Sequence, residues 1–164
     1  MHQVDDIIAL FNGCFELTHN TRLVLGTDEP IYLPADEQCA YHRVIFAHGF
    51  FSSALHECAH WLIAGEARRQ VIDYGYWYVP DGRTAEQQVL FEQVEVKPQA
   101  IEWILSKAAG YRFQFSSDNL TGEVTDQEAF KHAVKQQVLQ YETYGLPDRA
   151  ASLHEAITRF YLNC

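Results

Sequence analysis

One five-residue segment, HECAH at positions 56 to 60, constrains the fold of this chain more than any other part of its sequence. On an α-helix the side chains of His56 and His60 share one face, with their β-carbons about 5 to 6 Å apart. Both imidazoles can then reach one metal ion at about 2.0 to 2.1 Å. Apolar residues occupy positions 55, 58, 59, 62 and 63, so we predict a buried helix that carries a metal site.

The chain before this helix is predicted to contain one helix and three strands. Apolar residues at helical intervals favour a helix over residues 3 to 11, which Gly13 weakens or ends. Two extended segments around a turn are expected between Arg22 and Leu33, and a third strand is expected from Arg43 to Ala47.

The helix that carries HECAH should begin at a capping serine, Ser52 or Ser53, and stop at Gly65. The aromatic stretch from Val71 to Val79 suits a strand or an extended loop, and its tyrosines are expected to pack in the core. A turn should follow at residues 80 to 82, where the sequence is PDG.

Helical patterns dominate the second half of the chain. Pro98 disfavours helical geometry at Lys97, so a helix that begins at Thr84 is expected to break near Glu95, and a new helix to begin at the proline. The remaining helices are predicted at about 98 to 109, 125 to 144 and 148 to 161.

The composition favours one ordered domain and limits its partners. A chain of 164 residues with 48% apolar residues can bury a core without disulfides. We therefore predict a single α+β domain over residues 1 to 164, with a small sheet and several helices. The formal net charge of −10 argues against direct binding to nucleic acid. The cysteines form no C-x-x-C pair, and no secretory leader or membrane-length apolar run is visible, so a cytoplasmic location off the membrane is expected.

A catalytic metal ion usually takes a third protein ligand, and three glutamates are candidates. Glu66 lies ten residues after His56, where certain metalloproteases place a third ligand, while Glu92 and Glu95 lie in the next helical stretch. We prefer Glu95 because it stands beside the break predicted at Pro98, where an otherwise regular helix is distorted.

The residue types alone leave several functions open. A zinc peptidase would use the same five residues, with Glu57 as the general base that activates metal-bound water. A metal-dependent nuclease is disfavoured by 12 basic against 22 acidic residues. A zinc-stabilised binding module without catalysis is a further alternative. His42 and His48 are interpreted as hydrogen-bonded structural residues rather than ligands.

Longer blocks of the sequence, in order from about residue 5 to about residue 160, resemble the bacterial elongation factor P hydroxylase family. The blocks are DEPIYLPA from Asp28, FAHGF from Phe46, HECAHW from His56, DYGYWY from Asp73, PDGR from Pro80 and FEQVEVKPQA from Phe91. Their combination is far more specific than an H-E-x-x-H segment alone. The resemblance implies a cytoplasmic enzyme that hydroxylates the modified lysine of elongation factor P after a β-lysine has been attached to it.

The resemblance also implies a type of site and a type of fold. The site would be a two-histidine, one-carboxylate centre of the nonheme iron kind, with His56, His60 and Glu95 as ligands. Fe(II) would be the metal and dioxygen the cosubstrate, whereas a requirement for 2-oxoglutarate is left open. The fold would be zincin-like, or similar to that of a bacterial metal-dependent ribonuclease family.

Acidic residues near this site are expected to recognise a cationic substrate. Glu57, Glu66 and Asp81 would attract the amino groups of a β-lysyl-lysine by opposite charge. We assign a catalytic role to Glu57, which would contact the substrate amine or order a ligand.

Overall fold

The computed structural model describes residues 1–74, 82–116 and 127–163, which form five α-helices, one short 3-10 helix and a three-stranded sheet. In chain order the elements are α1 (Val4–His19), β1 (Thr21–Leu25), β2 (Ile31–Leu33), β3 (His42–Phe46), α2 (Phe51–Ile63), the 3-10 helix (Arg68–Gln70), α3 (Ala85–Ala108), α4 (Glu128–Tyr144) and α5 (Asp148–Leu162). The helices and the small sheet belong to one α+β domain, as predicted.

The sheet has the strand order β1-β3-β2, so the third of these strands is the central one. β3 runs parallel to β1, where Leu23 lies opposite Val44, and antiparallel to β2, where Tyr32 lies opposite the same valine. All three predicted strands are confirmed, and the structure pairs both of the first two with the third. Gly26 allows the close approach of the chain after β1, because a β-carbon there would overlap the side chain of Ile45.

The main core lies between one face of the sheet and helices α1, α2, α3 and α5, and a smaller cluster joins α3 to α4. α2 is deeply enclosed, which confirms the predicted buried helix, and it ends just before Gly65 as expected. Its fully or almost fully buried residues are Ala54, Leu55, Cys58, Ala59 and Leu62. Burial of each large aliphatic side chain contributes about 1.5 to 3 kcal/mol, so this helix is held firmly in position.

α1 continues past Gly13 to His19, so the predicted end at the glycine is wrong. A glycine inside a helix costs about 1 kcal/mol relative to alanine. Phe11 and Phe15, on either side of it, are both buried on the core face of the helix. Packing outweighs the local preference, and the last helical residue is His19. The C-cap residue Asn20, with a left-handed φ of 49°, ends the helix.

Neither Ser52 nor Ser53 caps α2, which corrects the predicted start of this helix. The N-cap residue is Phe50, which has an extended backbone and makes no side-chain capping bond. His48 and Gly49, with φ values of 62° and 67°, turn the chain into the helix. Both serines consequently lie within the first turn, and their hydroxyl groups are not needed to define the start.

α3 runs unbroken from Ala85 to Ala108 through Pro98, so the break predicted near Glu95 is wrong. A proline inside a helix removes one hydrogen bond and costs about 3 kcal/mol. Packing offsets this cost, since Ile101 and Leu105 on the following turns are fully buried and each contributes on the order of 2 kcal/mol. One long helix therefore carries Glu95 into the interior.

The last two predicted helices are confirmed as α4 and α5, joined at residues 145 to 147. Residues 75–81, 117–126 and Cys164 lie outside the described part. The greater part of the predicted aromatic strand and the first two residues of the PDG turn, Pro80 and Asp81, are among them. Tyr74 lies inside the described part and is 52% exposed, so its predicted place in the core is wrong. Just before the first gap, Asp73 forms a single antiparallel bridge with Tyr32. In the described ranges, no helix has the combined length and apolar character needed to cross a bilayer.

Candidate metal centre

One stripe of α2 faces a cavity instead of the core. Ser52, His56 and His60 follow one another at four-residue intervals and line this cavity. The apolar side of the helix is packed against the sheet and α1, so the polar stripe is directed away from the core. The two histidines share one face as predicted, with ring centroids 4.7 Å apart.

The facing helix, α3, carries an unusual stripe of buried polar residues. Seven polar or charged residues are buried in the described part of the chain, and five of them lie on α3 at positions 88, 95, 99, 102 and 106. Intervals of three, four and seven residues place these positions on one face of a helix. Glu95 is 4% exposed and lines the cavity, so its carboxylate is held inside the protein.

Glu95 meets the two histidines of α2. Its Oε1 atom lies 2.9 Å from Nε2 of His60, and its Oε2 atom lies 3.7 Å from Nε2 of His56. The two Nε2 atoms are 3.1 Å apart. One ligand atom from each residue lies within 4.8 Å of the other two, so the three side chains can hold a metal ion.

The separations of these atoms suit a single ion. Two ligand atoms that each lie about 2.1 Å from an ion are about 3.0 to 3.4 Å apart for bond angles of about 90° to 110°. The Nε2 to Nε2 distance of 3.1 Å and the Nε2 to Oε1 distance of 2.9 Å are close to this range, and the distance of 3.7 Å from His56 Nε2 to Glu95 Oε2 is slightly longer. Imidazole and carboxylate are ligands that suit divalent transition metals. The residues present therefore fit the predicted site, and their role as ligands stays a prediction.

Gln99 supports the carboxylate of Glu95 from within α3. Its side-chain amide donates hydrogen bonds to Glu95 Oε2 at 3.2 Å and to the backbone oxygen of Ser116 at 2.9 Å. Its own oxygen accepts a hydrogen bond from the backbone N–H of Ser116 at 3.1 Å. These contacts join the candidate ligand to residues 111–116, which form one wall of the cavity.

Glu102 also belongs to this cluster, although it lies outside the motifs that predicted the metal site. Nδ1 of His56 is 2.7 Å from Oε2 of Glu102, on the opposite side of the ring from Glu95. Glu102 is 4% exposed. The sequence signal that could have revealed it is the polar series Glu95, Gln99 and Glu102 at helical spacing, set among apolar residues at 100, 101, 104 and 105.

The charges of the cluster depend on one another. Burial disfavours the charged form of His56, but the carboxylates of Glu102 and Glu95 outweigh it and raise the pKa of the imidazole from 6.5 to about 10. Burial also disfavours a charged Glu95, yet His60 and His56 outweigh it and lower the pKa of that carboxyl from 4.5 to about 2. A ligating imidazole must be neutral, so binding of a metal ion by His56 at neutral pH would release a proton from its ring.

Glu57 follows His56 in the chain and lines the same cavity. It is not one of the three converging residues. Burial raises the pKa of its carboxyl above the usual range, against the opposing attraction of His56 and His60. A carboxyl group in this position is available to a ligand that enters the cavity.

The cavity has a volume of about 720 Å³, which lies within the size range of small-molecule sites. Its lining includes the carboxylates of Glu57, Glu95 and Glu102, and the aromatic rings of Phe113 and Phe115. The two phenylalanine rings meet edge to face with centroids 5.1 Å apart. Arg83 and Arg112 also line the cavity, but the three carboxylates beside the aromatic rings suit a long side chain with an apolar stem and a cationic end.

The other predicted candidates lie elsewhere. Glu66 is exposed beyond the end of α2, and Glu92 accepts a hydrogen bond from Gln88 at 3.3 Å; neither belongs to the converging group. His42 accepts a hydrogen bond from a backbone N–H at 2.8 Å, and His48 forms part of the turn before α2. The hydrogen bond of His42 gives it the structural role that the sequence predicted, whereas for His48 that role stays a prediction.

The fold and the cluster define a class: an α+β protein of one domain, with a small sheet and a group of two histidines and one glutamate that can hold a metal ion. Comparison with known proteins then gives the family. A family model described as elongation factor P hydroxylase matches residues 10–164. The chain belongs to the elongation factor P hydroxylase family, which is a family of enzymes.

A curated relative gives the same result. The elongation factor P lysine hydroxylase of Haemophilus influenzae is 58% identical to this chain over 160 residues. The alignment covers 98% of this chain and 90% of the relative. The resemblance seen in the sequence blocks is therefore confirmed over almost the whole chain.

Proposed function

We propose that this protein is a metal-dependent hydroxylase that acts on the β-lysylated lysine of elongation factor P. The observation that carries the proposal is the match, over 98% of the chain, to a relative named elongation factor P lysine hydroxylase. The cluster of His56, His60 and Glu95 supports the metal dependence. A peptidase that uses the same H-E-x-x-H segment has no comparable support.

The proposed ligands are His56, His60 and Glu95, with Fe(II) as the metal and dioxygen as the cosubstrate. Two imidazoles and one carboxylate are the ligand set of nonheme iron oxygenases. Iron bound there would supply the redox chemistry that activates dioxygen. The chain's own contribution is to hold the three ligands together in a partly enclosed cavity and to position the substrate beside them.

The residues that line the cavity favour a substrate with several amino groups. The stem of the modified lysine would pass Phe113 and Phe115, while its cationic end would lie near Glu57. We propose that the carboxyl group of Glu57 contacts the substrate amine and so has a catalytic role. Glu66 is exposed beyond α2 and is not part of the cavity lining, so we do not extend this role to it.

Three wider features belong to the same proposal. We propose that residues 1–164 act as a single hydroxylase domain, in the cytoplasm, where elongation factor P is used. We also propose a fold similar to zincins or to bacterial metal-dependent ribonucleases, because a buried helix carries the two histidines beside a small sheet. An experimental structure superposed on members of both groups would test this likeness.

The direct test measures the mass of elongation factor P. The protein is purified without oxygen, loaded with Fe(II), and mixed in air with β-lysylated elongation factor P and a chemical electron donor such as ascorbate, with and without 2-oxoglutarate. We expect a gain of one oxygen atom on the modified lysine. Unmodified elongation factor P serves as the matched substrate control, and Glu95→Gln as the enzyme control.

Two results would contradict the proposal. One is an unchanged substrate mass under all of these conditions, with iron shown to be bound. The other is cleavage of a casein-like peptide by the Zn(II)-loaded protein, which would favour a peptidase. The paired reactions with and without 2-oxoglutarate also decide whether this cosubstrate is needed.

A further inference from the structure

Glu102 is a buried charged residue whose place in the protein calls for a physical reason. It lies on α3 seven residues after Glu95, and thus on the same face of the helix. A buried carboxylate is costly unless it is paired and hydrogen-bonded. The partner that the structure records for its Oε2 atom is Nδ1 of His56, at 2.7 Å.

This contact determines which nitrogen of His56 faces the candidate ligand group. A carboxylate only accepts hydrogen bonds, so Nδ1 must carry the proton in the contact with Glu102. When the imidazole is neutral, Nε2 is then the nitrogen with a free electron pair. Nε2 is the atom that lies 3.1 Å from Nε2 of His60 and 3.7 Å from Glu95 Oε2.

Glu102 is placed to support a ligand and not to act as one. Its carboxylate contacts the side of the His56 ring that is turned away from Glu95 and His60. It is not among the three residues whose ligand atoms converge. A carboxylate bonded to the outer nitrogen of a ligating histidine fixes both the tautomer and the ring orientation.

We propose that Glu102 is a positioning residue of the metal centre, which holds His56 with Nδ1 protonated and Nε2 directed at the ion. The proposal rests on the proposed metal centre and deepens it. Glu95 and Glu102 then have different roles on one face of α3. Glu95 binds the ion, and Glu102 orients His56 on the facing helix, α2.

Two substitutions at Glu102 distinguish its role in orienting His56 from the effect of its negative charge. Glu102→Gln keeps the length of the side chain and a hydrogen-bond acceptor but removes the charge. Glu102→Asp keeps the charge but is one methylene too short to reach Nδ1. Glu142→Gln is the control, because it removes an equal charge from an exposed ion pair with Lys107 that contributes little to stability.

The first measurement is the affinity for Co(II) or Zn(II) alone, by competition with a chelator, for variants whose helix content matches the parent protein. We expect Glu102→Asp to weaken binding by about 10- to 100-fold. We expect Glu102→Gln to weaken it by less than about tenfold, because a neutral hydrogen bond replaces a charge-assisted one. The control should bind the ion as the parent does.

The second measurement is the NMR signal of the Nδ1 proton of His56 in the Zn(II)-loaded protein. We expect a slowly exchanging proton in the parent and in Glu102→Gln, and its loss in Glu102→Asp. A binding loss in Glu102→Gln that equals or exceeds the loss in Glu102→Asp would overturn the proposal, as would unchanged binding in both. Neither measurement uses elongation factor P, so failure of hydroxylation would count against the proposed function alone.

Discussion

At the scale of single residues, His56 joins the two parts of the candidate site. Its Nδ1 atom contacts Glu102 at 2.7 Å, and its Nε2 atom faces His60 at 3.1 Å. Its side chain is 22% exposed, whereas the side chain of Glu95 is 5% exposed. His56 is therefore open to the cavity and at the same time held by the buried carboxylate of Glu102.

The choice of the third ligand can be tested among three glutamates. We expect Glu95→Gln to abolish stoichiometric metal binding and to lower hydroxylation by at least about 100-fold, because an amide neither neutralises the ion nor matches carboxylate affinity. Metal content and substrate mass are the two measurements.

The same exchange at the two rejected positions provides the controls. Glu92→Gln, one turn from Glu95, and Glu66→Gln, beyond the end of α2, should each retain bound metal and activity. Loss of metal in either of them, with metal retained in Glu95→Gln, would show that the ligand is assigned to the wrong carboxylate.

Glu57 should affect the substrate and not the ion. We expect Glu57→Gln to bind metal normally and to raise KM for β-lysylated elongation factor P by about tenfold, the effect of losing roughly 1.4 kcal/mol of charge attraction. Steady-state kinetics with a metal assay on the same sample would test this. An unchanged KM with a reduced metal content would instead place Glu57 among the residues that hold the ion.

The stability of the metal-free protein should depend on pH through His56 and Glu95. The pKa of His56 is raised from 6.5 to about 10, so its contribution is complete below about pH 6.5 and is lost as pH rises toward 10. The pKa of Glu95 is lowered from 4.5 to about 2, so its contribution is complete above about pH 4.5 and is lost as pH falls toward 2.

The two effects together place the highest stability of the chelated protein between about pH 4.5 and 6.5. Thermal unfolding in a chelator from about pH 3 to about pH 10 would measure this profile. A melting temperature that increases steadily from about pH 7 to about pH 9 would contradict the assigned shift of His56.

At the scale of secondary structure, α3 shows how packing overrides a local signal. The helix begins with a capping box formed by Thr84 and Gln87. The spacing of these two residues in the sequence favours the start of a helix. Pro98 then stands inside the helix without ending it. A break there would disrupt the site, because it would separate Glu95 from Glu102, and these two residues contact His56 on two sides.

α1 allows a test of the same principle at Gly13. This glycine is exposed within the helix, and nothing lies within 4 Å of a β-carbon added there. We expect Gly13→Ala to raise the free energy of unfolding by about 0.5 to 1 kcal/mol, because alanine loses less backbone entropy on folding. Chemical denaturation would measure the change. Gly145→Ala is the contrasting variant, since its φ of 100° makes a side chain unfavourable and should lower stability.

At the scale of the whole molecule, the candidate centre connects α2 to α3. The three candidate ligand residues come from two helices that belong to the same core. An ion bound between them would link these helices directly and would add stability that only the folded state can gain.

Removal and return of metal should therefore change the melting temperature. At a free ion concentration about 100 times Kd, binding adds about 2.7 kcal/mol, which corresponds to an increase of roughly 5 to 10 °C for a domain of this size. Differential scanning fluorimetry with a chelator and then with Zn(II) would measure it. Glu95→Gln should not respond to the ion, and a similar increase in that variant would mean that the ion binds elsewhere.

The elements of the fold were largely predictable from local patterns, and their boundaries were less so. Strands, the buried helix and the last two helices follow from apolar periodicity, which is a property of neighbouring residues. The error at the serines before His56 arises from the turn at His48 and Gly49, which starts α2 earlier, whereas the errors at Gly13 and at Pro98 have one cause. Propensities of single residues amount to about 1 to 3 kcal/mol, and buried contacts made by distant residues exceeded them.

The sequence by itself determined that His56 and His60 would stand on one face of a buried helix, because the pitch of an α-helix places residues four apart together whatever surrounds them. The long blocks of sequence also determined the family. Only the tertiary structure decided which glutamate joins the histidines, because Glu95 reaches them through the packing of α3 against α2. It also showed that Glu102 contacts His56, since the spacing of polar residues along one helix does not record which residue of the facing helix they meet.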